Sequence, residues 1–230
     1  MQYFILQTAE RARRLHPDDR ELQAAALIHD LGKVLFSLGE DPTCVVGDTF
    51  AVGCAFPQAS IVYGDSLDEN ADATHPTYST RLGVYAEGCG LGALRLSYGH
   101  DEYLYQVCQY AMCHGPWSMC HGPCLYVMCT LLSSTHDSLT LSLFISTQVL
   151  ERNRQAGRHS LGPRWARAIR FHSFYPWHAR GAYTHFMALD QGDDATLADV
   201  LTLNRCDLYS KVLHLYLPQR FYLSMFPPSY

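Results

Sequence analysis

The clearest helical pattern lies near the start of the chain, over residues 21–38. Its repeating positions recur every three or four residues, which is the spacing of one helix face. Asp18 or Asp19 precedes the pattern as a candidate N-cap, and Gly39 follows it as a candidate C-cap. The residues on the repeating face are Leu22, Ala25, Ala26, His29, Lys33 and Phe36. We therefore predict one continuous helix from about Glu21 to Leu38.

Weaker helical patterns elsewhere predict a mainly α domain. They cover residues 5–15, a segment that starts near Asp101, and residues 165–174 and 194–205. Residues 40–90 are instead rich in Gly, Pro, Asp, Ser and Thr, which is typical of loops. The short β-branched runs Val45–Val46 and Ile61–Val62 predict one small β-hairpin within these loops.

Two segments depart from this pattern. Residues 112–157 contain a repeated MCHGP and a strand-like alternation, and residues 212–230 are abruptly aromatic and apolar. We predict that the first segment is a loosely packed insertion and the second a divergent tail. The alternative for the insertion is a zinc knuckle, although its cysteines lack the CxxC spacing of such sites. The candidate zinc ligands are Cys113, His114, Cys120, His121, Cys124 and Cys129.

Composition narrows the class of protein. The chain has 230 residues, of which 48% are hydrophobic and 17% charged, so it can form one globular core. A formal net charge of -5 provides no basic surface for nucleic acid. No apolar run is long enough to span a membrane, and the first residues lack the features of a signal peptide. We therefore expect a cytoplasmic protein without a membrane partner, with its nine cysteines reduced.

The pair His29–Asp30 is the strongest chemical signal in the chain. An adjacent imidazole and carboxylate can bind one metal ion together, or the carboxylate can bridge to a second ion. Lys33 lies three and four residues further on, over the same helix face, where its ammonium could stabilise an oxyanion. The alternative is a solvated His–Asp pair with an ordinary lysine. Further metal-binding candidates are His100, His172, His178 and Asp207.

A series of ordered sequence blocks then indicates a family. The blocks are IHDLGKVL (28–35), VVGDTF (45–50), VGC (52–54), PQAS (57–60), YSTRLGVY (78–85), YGHDEYLYQV (98–107), IRFHSFYPWH (169–178) and DLYSK (207–211). Together they resemble the myo-inositol oxygenase family, a di-iron branch of the HD-domain superfamily. The similarity covers roughly residues 7–111 and 158–211. The resemblance implies an HD-domain-like helical bundle in a single domain.

The resemblance also implies a function and a site. It implies oxygen-dependent ring cleavage of myo-inositol to D-glucuronate, by a monomeric enzyme with two mixed-valent iron ions. His29 and Asp207 would bind the first iron, His100 and His172 the second, and Asp30 would bridge both. Lys33 would also act in catalysis, by supporting the developing alkoxide. The residues that would hold the inositol hydroxyls are Lys33, Gly47, Asp48, His172, Ser173 and Lys211.

The chain departs from the family pattern at three places. Phe4 stands where the family has an early histidine ligand, and phenylalanine cannot bind iron. The insertion and the divergent tail are the other two departures. The resemblance therefore indicates a form truncated at its N-terminus, without part of the substrate lid. Two alternatives stay open: a catalytically impaired isoform of the family, and an HD-type metal-dependent phosphohydrolase.

Overall fold

A computed structural model describes residues 2–119 and 161–212, and this part of the chain is mainly helical. The predicted α class is therefore confirmed. The helices are α1 (Gln2–Leu15), α2 (Arg20–Ile28), α3 (Val34–Ser37), α4 (Pro42–Val45), α5 (His100–Met119), α6 (Pro163–Phe171), α7 (Tyr175–His178) and α8 (Asp193–Val212). Short 3-10 turns lie between them, at Leu31–Lys33, Gln58–Ser60, Gly64–Leu67, Ala71–Ala73, Leu91–Ala93, Thr184–Phe186 and Leu189–Gln191.

The long helices pack around one apolar core. Helix α1 packs against α2 and α8, and α6 packs against both α5 and α8. Helix α6 begins with Pro163, whose fixed φ suits the first helical position. It buries Trp165, Ile169 and Phe171 almost completely, and a fully buried aromatic or aliphatic side chain stabilises the fold by about 1.5–3 kcal/mol. Helix α6 is therefore the central packing element of the described fold.

The start of α8 is fixed by a buried carboxylate. Asp193 Oδ2 accepts hydrogen bonds from the backbone N–H groups of Leu91, at 2.8 Å, and Ala188, at 2.9 Å. Its other oxygen accepts a bond from Arg167 on α6, at 2.9 Å. Because a buried carboxylate is costly without such partners, these bonds attach α8 firmly to α6 and to the long loop region.

The predicted single helix over residues 21–38 is wrong, because the chain leaves the α conformation at Asp30. The N-cap prediction is confirmed, since the Asp19 side chain accepts a 2.8 Å bond from the N–H of Leu22. After α2 the chain forms the 3-10 turn Leu31–Lys33 and then the short helix α3. Gly39 follows α3 with a φ of +92°, which the absence of a side chain permits.

Close packing explains the break. A Cβ atom at Gly32 would lie 1.8 Å from the carbonyl oxygen of His100, so the turn and the start of α5 are in direct backbone contact. A continuous helix carries side chains all round, and its backbone could not come this close. The tertiary contact therefore overrides the local helical pattern.

The predicted β-hairpin is also wrong for the described residues. Val45 belongs to α4, and Ile61 follows the 3-10 turn Gln58–Ser60. The pairing in this part of the chain is one isolated antiparallel bridge between Ala51 and Leu96. Much of this segment forms successive 3-10 turns, whose backbone hydrogen bonds are local, so it forms no extended strand that could pair.

Several predictions fall outside the described residues. Residues 120–160 and 213–230 are not described, so most of the predicted insertion and tail, and the zinc alternative, are not tested. Helix α5 continues to Met119, across the predicted start of the insertion. Cys54 and Cys206 are buried, whereas Cys44 is exposed and Cys89 half-buried. In the described part, no helix is long and apolar enough to cross a membrane.

Candidate functional site

Five side chains that the sequence analysis selects as metal ligands meet inside the helical bundle. His29 and Asp30 lie at the end of α2, and His100 is the first residue of α5. His172 caps the C-terminal end of α6, and Asp207 lies on α8. Each is at most 3% exposed. Four separate elements thus bring their polar side chains to one buried point.

The ligand atoms of these side chains lie close together. The Nε2 atoms of His100 and His172 are 3.2 Å apart, and Asp30 Oδ1 lies 3.5 Å from the first and 3.8 Å from the second. On the other side, His29 Nε2 lies 3.7 Å from Asp30 Oδ2 and 3.4 Å from Asp207 Oδ1. Asp30 Oδ1 therefore faces His100 and His172, and Oδ2 faces His29. Ligand atoms of His29, Asp30 and His172 all lie within 4.8 Å of one another.

Backbone contacts fix the orientation of all three imidazole rings. Each ring places its Nδ1 against a backbone carbonyl, which can only accept a hydrogen bond. The distances are 2.9 Å for His29 to Ala26, 2.7 Å for His100 to Val45 and 2.6 Å for His172 to Ile169. A neutral ring held in this way carries its proton on Nδ1 and presents a lone pair at Nε2.

The resulting cluster is a set of lone pairs that face each other. Three Nε2 atoms and the carboxylates of Asp30 and Asp207 converge, and the buried Nε2 of His29 has no hydrogen-bond partner. Burying unpaired acceptors in this way is costly unless a cation lies among them. The donor set of imidazoles and carboxylates therefore fits a divalent transition metal such as iron, manganese or zinc.

Asp30 is held in its charged form. Burial acts to raise its pKa, but His29, His100 and His172, when their rings are protonated, together with Lys33 outweigh burial and lower the pKa well below its usual range. Lys33 Nζ lies 2.6 Å from Asp30 Oδ2, and the lysine side chain remains 19% exposed. Lys33 therefore connects the buried cluster to the open side of the site.

A cavity of about 190 Å³ opens beside this cluster. Of the residues predicted to hold substrate hydroxyls, Lys33, Gly47, Asp48, His172 and Ser173 line it. The side chain of Lys211 lies outside the described set. The full lining is Asp30, Lys33, Val46, Gly47, Asp48, His100, His172, Ser173 and Tyr175. Hydroxyl, amine and carboxylate groups thus surround the space next to the candidate metal ligands.

Comparison with known proteins decides the family. A family model described as myo-inositol oxygenase matches residues 2–120 and 131–221. This chain belongs to the myo-inositol oxygenase family. Curated proteins named inositol oxygenase from Pongo abelii and Homo sapiens are each 38% identical over 210 residues, which is 91% of this chain and 56% of theirs. Inositol oxygenase 2 from Arabidopsis thaliana is 39% identical over 213 residues, which is 90% of this chain and 51% of the relative.

The chain spans about half the length of the curated inositol oxygenases that it matches. The family match extends into both segments that the sequence analysis sets apart, and leaves residues 121–130 between its two parts. The helical structure agrees with the HD-domain-like class that the family implies. The boundaries of the insertion and the tail stay predictions.

Sequence reasoning missed two residues of this pocket, Val46 and Tyr175. Burial raises the pKa of the Tyr175 phenol, and Asp207 and Asp30 raise it further, so the hydroxyl keeps its proton. Both residues lie inside sequence blocks that carry the family resemblance. Their place in those blocks was an available signal, but only the folded chain shows that they face the cavity.

Thr8 is a third residue that the sequence analysis did not single out. Its hydroxyl donates a 3.5 Å hydrogen bond to Asp207 Oδ1, and its side chain is fully buried. Residue 4, where the family resemblance predicts a histidine and this chain has Phe4, lies one helical turn before Thr8 on α1. The side chain of Phe4 is outside the described set. The backbone of α1 therefore places residue 4 on the helix face that Thr8 shares.

Proposed function

We propose that this chain binds two iron ions and uses dioxygen to cleave the ring of myo-inositol, forming D-glucuronate. One observation carries the proposal: three fixed imidazole lone pairs and two carboxylates converge beside a cavity lined by hydrogen-bonding groups. The names of the curated relatives support the same activity. The monomeric state and the cytoplasmic location stay predictions.

Asp30 divides the cluster into two metal positions. His29 and Asp207 lie near its Oδ2, and His100 and His172 lie near its Oδ1. A carboxylate with ligands on both sides suits a bridging role, and imidazole with carboxylate suits iron. When bound, the two ions would supply Lewis-acid binding of a diol and activation of dioxygen.

The remaining polar residues suit an uncharged polyol. Within the described lining, the carboxylates of Asp30 and Asp48 each face a cation, Lys33 in one case and Arg180 in the other. The pocket therefore offers hydrogen bonds without a large excess of either charge. Ser173 and Asp48 can orient ring hydroxyls, and the protonated Tyr175 can donate one further bond.

Lys33 is the group best placed to favour the loss of a proton from a ring hydroxyl. Its ammonium lies between the buried Asp30 and the cavity, so it can stabilise an alkoxide that forms on the ring. The lysine side chain is partly exposed and contacts the Asp30 carboxylate, so it bridges the buried cluster and the cavity. Deprotonation of a ring hydroxyl would then be favoured beside Lys33.

The proposal is tested by anaerobic loading with ferrous iron, followed by measurement of iron per chain and of inositol-dependent oxygen uptake. We expect about two irons per chain, with His172→Ala losing at least one, because His172 and His100 are the described histidines beside Asp30 Oδ1. The exposed Arg13→Met serves as a control and should retain both irons. A loaded chain that consumes no oxygen with inositol would contradict the oxygenase activity.

The catalytically impaired form is the second candidate, and Phe4 is the observation that favours it. If the first iron lacks one histidine, the chain can bind the second iron and still fail to turn over. Iron content then separates the candidates, since the impaired form would load less than two irons. The family match favours the oxygenase over a phosphohydrolase.

A further inference from the structure

Asp48 meets a cation that the sequence analysis did not associate with the site. Its Oδ2 accepts a 2.6 Å bond from Arg180 Nη1 and a 3.3 Å bond from the backbone N–H of Val62. The Asp48 side chain is 12% exposed, and that of Arg180 is 36% exposed. All contacts described for Asp48 fall on Oδ2. Its second oxygen is therefore available to accept a hydrogen bond from a ligand in the cavity.

Arg180 is itself held in place by two other parts of the chain. The same Nη1 atom donates a 2.6 Å bond to the carbonyl of Ser60. The backbone N–H of Arg180 donates to the carbonyl of Tyr175, at 3.2 Å, so the residue follows directly from the short helix α7. Arg180 thus joins the loop of Asp48, the turn Gln58–Ser60 and a residue of the pocket wall.

The charge of this pair bears on which ligands the pocket accepts. An unpaired carboxylate that is largely buried attracts cations and binds an amine more strongly than a hydroxyl. The guanidinium at 2.6 Å offsets the charge of Asp48 and leaves a hydrogen-bond acceptor. Asp30 is paired with Lys33 in the same way. Both oxygens of Asp30 face the candidate metal ligands, so Asp48 is the carboxylate of the described lining that can accept a bond from a neutral hydroxyl.

We propose that Arg180 is a positioning residue that sets ligand specificity: it neutralises and orients Asp48, so that the pocket selects a neutral cyclitol over a cationic one. The inference rests on the proposed function, since it takes a ring polyol as the ligand. Arg180 acts through Asp48 and does not line the cavity. Because Arg180 and Val62 hold Oδ2, Asp48 accepts a hydrogen bond from the ligand through its second oxygen.

The test compares two ligands on iron-loaded protein under anaerobic conditions, by calorimetry. One ligand is myo-inositol, and the other is its monoamino analogue, in which an ammonium group replaces one ring hydroxyl. In Arg180→Met, the affinity for the amine relative to that for myo-inositol should rise about tenfold, because the guanidinium no longer offsets the charge of Asp48. Arg180→Lys keeps a cation beside Asp48 and should preserve most of the wild-type preference.

Matched variants separate specificity from folding. Arg81→Met removes a comparable guanidinium, which pairs with Glu87 at 2.9 Å away from the pocket, and should leave the ratio unchanged. Asp48→Asn removes the charge that Arg180 offsets, so Arg180→Met should have no further effect on the ratio in that background. A purely structural role for Arg180 would weaken both ligands equally and leave the ratio unchanged, which would overturn the proposal.

The outcomes also separate this inference from the proposed function. If inositol binds and the ratio shifts as expected but no oxygen is consumed, the specificity role stands and the oxygenase activity fails. If oxygen is consumed and the ratio does not change in Arg180→Met, the activity stands and the role of Arg180 fails. Binding of neither ligand to the wild-type chain would overturn both.

Discussion

At the scale of single residues, the site depends on which ring nitrogen each histidine presents. Backbone carbonyls hold the Nδ1 atoms of His29, His100 and His172, so each Nε2 is left with a lone pair. These contacts fix the rings through bonds within the protein, which lowers the cost of organising the site. The family resemblance predicts a further histidine at residue 4, where this chain has Phe4.

We expect Phe4→His to raise iron content and inositol-dependent oxygen uptake together. Residue 4 lies one turn before Thr8, which bonds to Asp207, so a histidine there would add a ligand beside His29 and Asp207. Loss of a contact next to a metal typically costs about 10–100-fold in affinity, and a restored ligand should recover at least as much. Iron titration followed by oxygen-electrode assays measures both effects.

The control for this prediction is Leu6→His, on the same helix at a position that is 60% exposed. It adds an imidazole to α1 without adding a ligand to the cluster, so neither readout should change. A wild-type chain that already binds two irons, and that Phe4→His does not improve, would show that residue 4 is not a ligand position.

At the scale of elements, the break between α2 and α3 brings His29 and Asp30 close to His100. His29 and Asp30 leave the helix just where Gly32 touches the backbone of His100. In a continuous helix, side chains on α2 would keep α5 further away. The glycine is therefore required by the approach of two backbones, since its own φ is not in the left-handed region.

We expect Gly32→Ala to destabilise the fold and to weaken metal binding. Its Cβ would lie 1.8 Å from the His100 carbonyl oxygen, and backbone atoms cannot shift without moving α5. Overpacking of this kind typically costs about 1–3 kcal/mol, which lowers the melting temperature by several degrees. Gly92→Ala is the matched control, because its Cβ would meet nothing within 4 Å. Equal melting temperatures for the two variants would refute the close-approach argument.

At the scale of the whole molecule, the candidate metal ligands connect α2, α5, α6 and α8. The same helices share the core around Trp165 and Phe171, so a bound ion would hold together elements that already pack. A ligand that binds only the folded chain stabilises it in proportion to its affinity and concentration. Metal binding and global stability should therefore be coupled.

We expect ferrous iron to raise the melting temperature of the chain and a chelator to reverse the effect. At about one hundred times the dissociation constant, the gain in unfolding free energy is about 2.7 kcal/mol. Anaerobic calorimetry or circular dichroism measures the shift. His172→Ala should abolish most of it, whereas Arg81→Met, away from the site, should keep it. Iron that binds without any thermal shift would place it outside the described cluster.

The sequence predicted the helices and the candidate ligands because both depend on local patterns. The period of apolar residues predicted the starts of α1, α5, α6 and α8 to within three residues, although α8 ends at Val212 and not at residue 205. Asp19 was one of the two cap candidates. Ordered motifs selected His29 and Asp207, far apart along the chain, and the fold places them 3.4 Å apart. Their roles as ligands stay predictions, since geometry alone does not show what they bind.

The remaining features depend on contacts between distant parts of the chain. The helical period continues through His29–Asp30, and only the backbone of His100 against Gly32 makes the chain break there. The β-branched pairs predicted a hairpin, but the N–H groups of Val46 and Ile61 bond within local turns, and that of Val62 bonds to the Asp48 side chain. Tyr175 and Arg180 gave no periodic or spacing signal, because facing a cavity or a carboxylate 132 residues away is decided by tertiary packing. The sequence by itself thus determined the helical class and the chemical types of the site, through local propensity and motif order. Tertiary structure decided where the helix ends and which charges meet, because those depend on close packing between segments that are far apart in sequence.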